Sequence, residues 1–294
     1  MAKTPSTEAP LKSLRDKAMI VKFRDGVWSG QRRDREVTKH VAEKYEVKKK
    51  AGYYNKFLVA RERLEKRVQI GLEARRYHNM NTLPWLDDGN RILPATNFQD
   101  YMSGMRKRQQ EAEAAEQELY KDWDAIKKEG ITMLGKMAKP ADYPSLDELR
   151  SKFAFEIIPL PMPEVADWRI DVPQKELVVL RQQAMQALAE VQTNGLRELA
   201  ERLLEVVVHC HERLKDEEAT FRNSLFENIK KIVTLLPKLN ITNDATLEAL
   251  RKEVAEKLST QTADEVRADP GLRKKVAGDA AAIMKKMSAY MGKR

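Results

Sequence analysis

The chain has 294 residues, with 54 Lys and Arg against 45 Asp and Glu (net charge +9), and is 42% hydrophobic, 34% charged and 6% aromatic. A chain of this length buries a sizeable core, and sparse aromatics with abundant helix formers fit helices packed by Leu, Ala, Val and Met better than a sandwich of strands. A single cysteine, Cys210, excludes an internal disulfide. No apolar run approaches the roughly 18 residues of a membrane span, so a cytoplasmic protein with no membrane partner is expected.

The charge is unevenly placed. Residues 1–79 hold 21 Lys and Arg against 10 Asp and Glu, whereas the remaining residues, with 33 basic and 35 acidic, are nearly balanced. A concentrated positive excess points to an anionic partner, nucleic acid before membrane, because no lipid anchor or amphipathic leader accompanies it.

In chain order, residues 1–18 read as a disordered tail without the apolar segment of a secretory signal. Residues 19–130 form a basic N-terminal helical region. It opens with two short extended pieces hinged at Asp25-Gly26, followed by a helix carrying Val37, Val41, Ala42 and Tyr45. Asn55 is expected to cap a second helix, with Leu58, Leu64, Val68 and Leu72 on its face as far as His78. Residues 80–97, with two Pro and an Asp-Asp-Gly, predict a long loop. Helix resumes from Asn97 toward Glu129; its Glu/Ala/Gln-rich stretch has few large apolar residues, so it packs along a single seam or projects.

Six prolines punctuate residues 131–173 and bar a long helix. Phe153 to Leu160 and Trp168 to Val172 read there as short strands. From 174 to 294 a coiled-coil hairpin and C-terminal helices are expected. Leu177, Leu180, Ala184, Ala187 and Val191 follow three- and four-residue steps, and Leu196, Leu199, Leu203, Val206, Cys210 and Leu214 resume the rhythm after a break at Asn194-Gly195. That break is either a stutter in one helix or a kink between two. Later helices are predicted over 217–236, over 244–260 with Thr242 or Asn243 as cap, and over 269–291 with Pro270 in the first turn. The fold class that results is mainly α: an elongated helical body with a coiled-coil hairpin and a small β element.

No motif for catalysis stands out. The chain lacks the phosphate loop, the dinucleotide fingerprint and the nucleophile elbow, its four His and one Cys suggest no triad, and Glu205, His209 and Glu212, although spaced as in carboxylate-bridged sites, have no second matching motif. His209 and His211 point about 200° apart on a helix and cannot both hold one ion. Neither enzyme activity, cofactor nor metal is expected.

Two constellations suggest binding. Trp28, Arg32, Arg33 and Arg35 place a ring beside three guanidinium groups, and Lys48, Lys49, Lys50, Tyr53 and Tyr54 interleave ammonium groups with rings. Single-strand binders use this pairing, cations following phosphates while rings stack on bases. The Leu-rich seam, with Leu199, Leu203 and Val206, offers either a homo-oligomer contact or the core of an intramolecular hairpin with the Glu/Ala-rich helix.

The run Phe221-Arg222-Asn223-Ser224-Leu225-Phe226-Glu227-Asn228-Ile229, leading to Leu235-Leu236-Pro237-Lys238-Leu239-Asn240-Ile241-Thr242-Asn243-Asp244, resembles an uncharacterised family of tailed-bacteriophage proteins, a domain of unknown function. So do Tyr54, Phe57, Gly71 and Pro84, and the order of elements is similar over most of the chain. The resemblance implies a phage protein of the host bacterial cytoplasm, encoded near replication and recombination genes and near a cobalt-chelatase-like AAA+ ATPase; it supplies no active site. The expected function is non-enzymatic binding of nucleic acid, single-stranded DNA preferred, in phage replication or recombination. The alternative is a self-assembling scaffold or adaptor for the AAA+ ATPase.

Overall fold

A computed structural model describes residues 16–48, 51–86, 89–163 and 173–292. The chain is mainly α-helical with a minor β element, as its composition implies. The strand expected at Trp168 to Val172 lies outside the described residues, as does all of the expected tail except residues 16–18. Ala18 departs from that expectation: it is buried and begins the first strand. No helix among the described residues is long and apolar enough to cross a membrane.

The chain divides into two compact units built from interleaved segments. The first comprises Met1–Lys22, Asn79–Tyr101 and Ile158–Arg294, and the second Phe23–His78 and Met102–Ile157.

In the first unit, β1 (Ala18–Gly26) pairs through its first half with β5 (Asn90–Pro94), antiparallel, Ala18 opposite Pro94 and Lys22 opposite Asn90. β5 pairs in turn with β4 (Leu83–Pro84), and the strand order is β4-β5-β1-β6, with β6 (Ala154–Leu160) divided between the two units. The loop expected over 80–97 therefore contains two strands. Both are too short to show alternation, and Pro84 is tolerated because β4 is the edge.

The leucine rhythm beyond residue 174 forms one helix, α6 (Gln174–Leu214), unbroken through Asn194 and Gly195. Leu196, Leu199, Ala200, Leu203, Val207, Cys210 and Leu214 are buried along it. Its partners are α7 (Ser224–Leu239) and α10 (Pro270–Met291), so the hairpin is closed by the C-terminal helix and not by the Glu/Ala-rich one. The pairing is antiparallel: His211 Nδ1 lies 3.0 Å from the carbonyl of Ala277, while Arg273 donates to the carbonyls of Arg213 and Leu214. Both α7 and α8 (Ala245–Lys257) differ at their ends from the sequence expectation. α7 runs two residues past Pro237, and the carbonyl of Val233, which Pro237 cannot serve as donor, accepts from Arg251 Nη1 at 3.4 Å. Asp244, not Thr242 or Asn243, caps α8 by accepting from Leu247 N at 2.7 Å. A capping box of Thr262 and Glu265 starts α9 (Ala263–Ala268), and Asp269 caps α10 with Pro270 in its first turn as expected.

The second unit contains β2 (Gln31–Arg33), α1 (Arg35–Lys44), β3 (Asn55–Phe57), most of α2 (Glu62–Met80) and α3 (Phe98–Lys121), with α4 (Trp123–Leu134) and α5 (Leu146–Arg150). Asn55 opens a strand instead of capping a helix, because Leu58 and Val59 are buried and the helix begins only at Glu62. The Glu/Ala-rich α3 buries Ala112, Ala115 and Leu119, the single seam expected of it. Arg67 of α2 is 3% exposed and held by Glu116, Asp25 and the Ala154 carbonyl, at 2.6, 2.9 and 3.0 Å. A charged residue at the centre of the buried face explains why that helix shows so little apolar periodicity.

Candidate nucleic-acid interface

The basic segment after Trp28 is shaped by a two-stranded antiparallel sheet in which Arg32 faces Lys56 and Arg33 faces Asn55. The turn into β2 uses Gly30 at φ +64°, where a Cβ would also press to 3.0 Å on Leu64 and Val59. Asp34 then caps α1, accepting from Glu36 N and Val37 N at 3.1 and 3.0 Å. Its own N–H donates to the Tyr54 carbonyl at 2.9 Å, and Tyr54 N donates to Thr38 Oγ1 at 3.1 Å. These bonds fasten the Tyr53-Tyr54 segment beside the start of α1.

Beneath the surface lies Lys56, 2% exposed, with Nζ 3.1 Å from Asp34 Oδ2, 2.8 Å from Asp142 Oδ2 and 2.7 Å from the Met137 carbonyl. The Val37 backbone hydrogen bond, with that of Lys56, holds the Asp34 carboxyl below the usual range. Burial opposes the charge of Lys56, but the hydrogen bonds to Asp142 and Asp34 outweigh it and keep the amine above the ordinary lysine value. Asp34 and Lys56 are thereby held charged and fixed in place.

Above it opens a cavity of about 640 Å³ lined by Arg32, Arg33, Arg35 and Lys139 together with the triad and Glu36. All three acids on this wall are already engaged: Asp34 and Asp142 by Lys56, and Glu36 by Lys139 at 2.8 Å. Arg32 Nε lies 3.6 Å from Asp142, a long contact, and Arg33 and Arg35 form no ion pair with a carboxylate among the described residues. The cavity therefore presents uncompensated guanidinium groups. Arg33 lies over the ring of Tyr53, 3.7 Å from its centroid, and Arg61 over Phe57 at 4.2 Å.

No family model matches the chain, and neither does any curated protein or solved structure. The assignment of a site thus rests on this geometry.

The structure brings together Arg32, Arg33, Arg35, Tyr53 and Tyr54, all exposed, and leaves Lys48 exposed beyond the end of α1. Lys49 and Lys50 lie outside the described residues. Trp28 requires correction. Its ring is 9% exposed and packs edge-on against Trp123 with centroids 5.5 Å apart, so it belongs to the core and offers no face to a base. The oligomerisation residues require correction too: Leu199 and Leu203 are 1% and 0% exposed within their own unit, and Val206 is half-buried beside them. The seam is filled from within the chain.

Two cavity residues had no signal in the sequence. Lys139 stands far along the chain in the Pro-rich region, and nothing near Lys56 in the sequence shows that it is buried between Asp34 and Asp142. Elsewhere, Cys210 is fully buried and its thiol is pushed up to about 12 by burial, and among the described residues no group of three or more His, Cys, Asp and Glu is placed to hold a metal ion.

Proposed function

We propose that this protein binds nucleic acid without catalysing a reaction on it, and that it prefers single-stranded DNA. The observation that carries the reading is the cavity lined by Arg32, Arg33, Arg35, Lys56 and Lys139 against only Asp34, Glu36 and Asp142, next to the exposed Tyr53 and Tyr54. Exposed guanidinium groups bind phosphate oxygens bidentately and release counterions as they do so. Exposed rings add sequence-tolerant contact with unpaired bases, which a duplex keeps stacked. A role in phage replication or recombination in the bacterial cytoplasm belongs to the same proposal and rests on the family resemblance alone.

The test is fluorescence anisotropy with labelled single-stranded and duplex oligonucleotides at two salt concentrations. Submicromolar binding that weakens steeply with salt and favours the single strand supports the reading. Absence of binding at low salt overturns it.

A further inference from the structure

Tyr53 is 58% exposed although the Arg33 guanidinium covers it at 3.7 Å. A planar cation at that distance occupies one face of the ring. That exposure remains with one face covered, and no other ring contact to Tyr53 occurs among the described residues. The arrangement is also held in place. Arg33 sits in the β2–β3 ladder opposite Asn55, and the residue after Tyr53 is tied to Asp34 and Thr38 through its carbonyl and its N–H. The ring is thus backed by a cation, anchored by its backbone and still largely exposed.

We infer that Tyr53 is the base-stacking platform of this surface: one unpaired base lies on its free face, giving the order guanidinium, phenol ring, base. This rests on the nucleic-acid reading above and adds to it which chemical part of the strand is recognised. A guanidinium on the back of the ring withdraws electron density from it, which favours stacking with electron-rich heterocycles, and it leaves the N–H groups at the guanidinium edge directed toward the phosphates that flank such a base. The cavity cations then supply charge, and Tyr53 supplies the requirement for a base.

The experiment compares oligothymidylate with an abasic oligomer of equal length and charge, using wild type, Tyr53→Ala, Tyr53→Phe and Arg33→Lys at one salt concentration. Circular dichroism first checks that the variants fold, which the exposure of both residues leads us to expect. Tyr53→Ala should weaken oligothymidylate binding about tenfold, the effect of losing one stacked base, with abasic binding unchanged. Tyr53→Phe should bind as wild type does. Arg33→Lys, which keeps the charge and removes the plane, should lose more on oligothymidylate than on the abasic strand. Equal losses on both oligomers with Tyr53→Ala, or no loss on either, overturn the stacking assignment while leaving the nucleic-acid reading intact. Failure of the wild type to bind both oligomers overturns the two together.

Discussion

Lys56 and Asp142 meet at 2.8 Å under the floor of the guanidinium-lined cavity, with Lys56 almost wholly buried. Asp34 completes the triad on the other side, so one ammonium engages two carboxylates, and Arg32, 3.6 Å from Asp142, is the further cation beside them.

Replacing Lys56 should therefore affect stability and binding together. Lys56→Met strands the buried Asp34 and the half-buried Asp142, and removing one partner of a buried ionic group costs about 3–5 kcal/mol. Urea denaturation at neutral pH should read a loss of that order. The depressed Asp34 carboxyl contributes stability above its unfolded value, near the usual carboxylate range of about 4, and loses it as pH falls through the lower folded value. Raised Lys56 contributes fully below the ordinary lysine value and loses its share only as pH rises through the still higher folded one. The gap between wild type and Lys56→Met should accordingly narrow below about pH 4. A gap that stays constant down to pH 2 would show that the triad is not its source.

The cavity arginines should act on binding alone. Arg35→Ala and Arg33→Ala remove exposed groups with no carboxylate partner, so each should leave the thermal midpoint nearly unchanged. Each should also reduce the slope of log affinity against log salt by about 0.7, the share of one phosphate contact on a single strand. Measured slopes equal to wild type would remove these residues from the interface.

Gly130 offers a test of how the second unit is closed. A Cβ there would stand 1.9 Å from the Leu58 carbonyl oxygen and 2.7 Å from the Tyr143 hydroxyl. In an exposed helix Gly→Ala stabilises by up to about 1 kcal/mol; at this position it should instead destabilise, by about 2 kcal/mol or more, because a backbone atom cannot yield as a side chain can. Chemical denaturation gives the sign directly.

Leu203→Asp separates the two meanings of the leucine seam. With Leu203 wholly buried among its own unit's helices, a carboxylate there should cost on the order of 4 kcal/mol or more and abolish cooperative unfolding. A variant that stays folded and merely changes its sedimentation coefficient would restore the intermolecular reading.

The parts of this molecule that were legible in the sequence are those specified by local signals. Helix α6 was visible from its leucine spacing, α10 from Asp269-Pro270, α1 from its apolar steps, and the basic cluster from simple counting. What escaped was set by distant partners. β4 and β5 are recognisable only once β1 lies beside them, and Asn55 could pass for a cap until Arg33 was seen across the ladder. In the site, the residue types of the two clusters were visible in the sequence, but the contact that joins Arg33 of one to Tyr53 of the other was not. The burial of Trp28 against Trp123 and the approach of Lys139 to Glu36 were not visible either, since each joins positions about a hundred residues apart. Leucine periodicity likewise announced a seam without saying which helix would fill it.

The interleaving of the two units has a genetic consequence. A break between residues 157 and 158 would leave every segment of the second unit on one fragment, but it would strip the helices after 173 of Ala18, Ile20, Leu83 and Ile92, which belong to their core. The strand-bearing pieces and the helical body cannot be inherited, shuffled or fused to other genes independently. A single cut between residues 157 and 158 therefore keeps the second unit's segments together and divides the first.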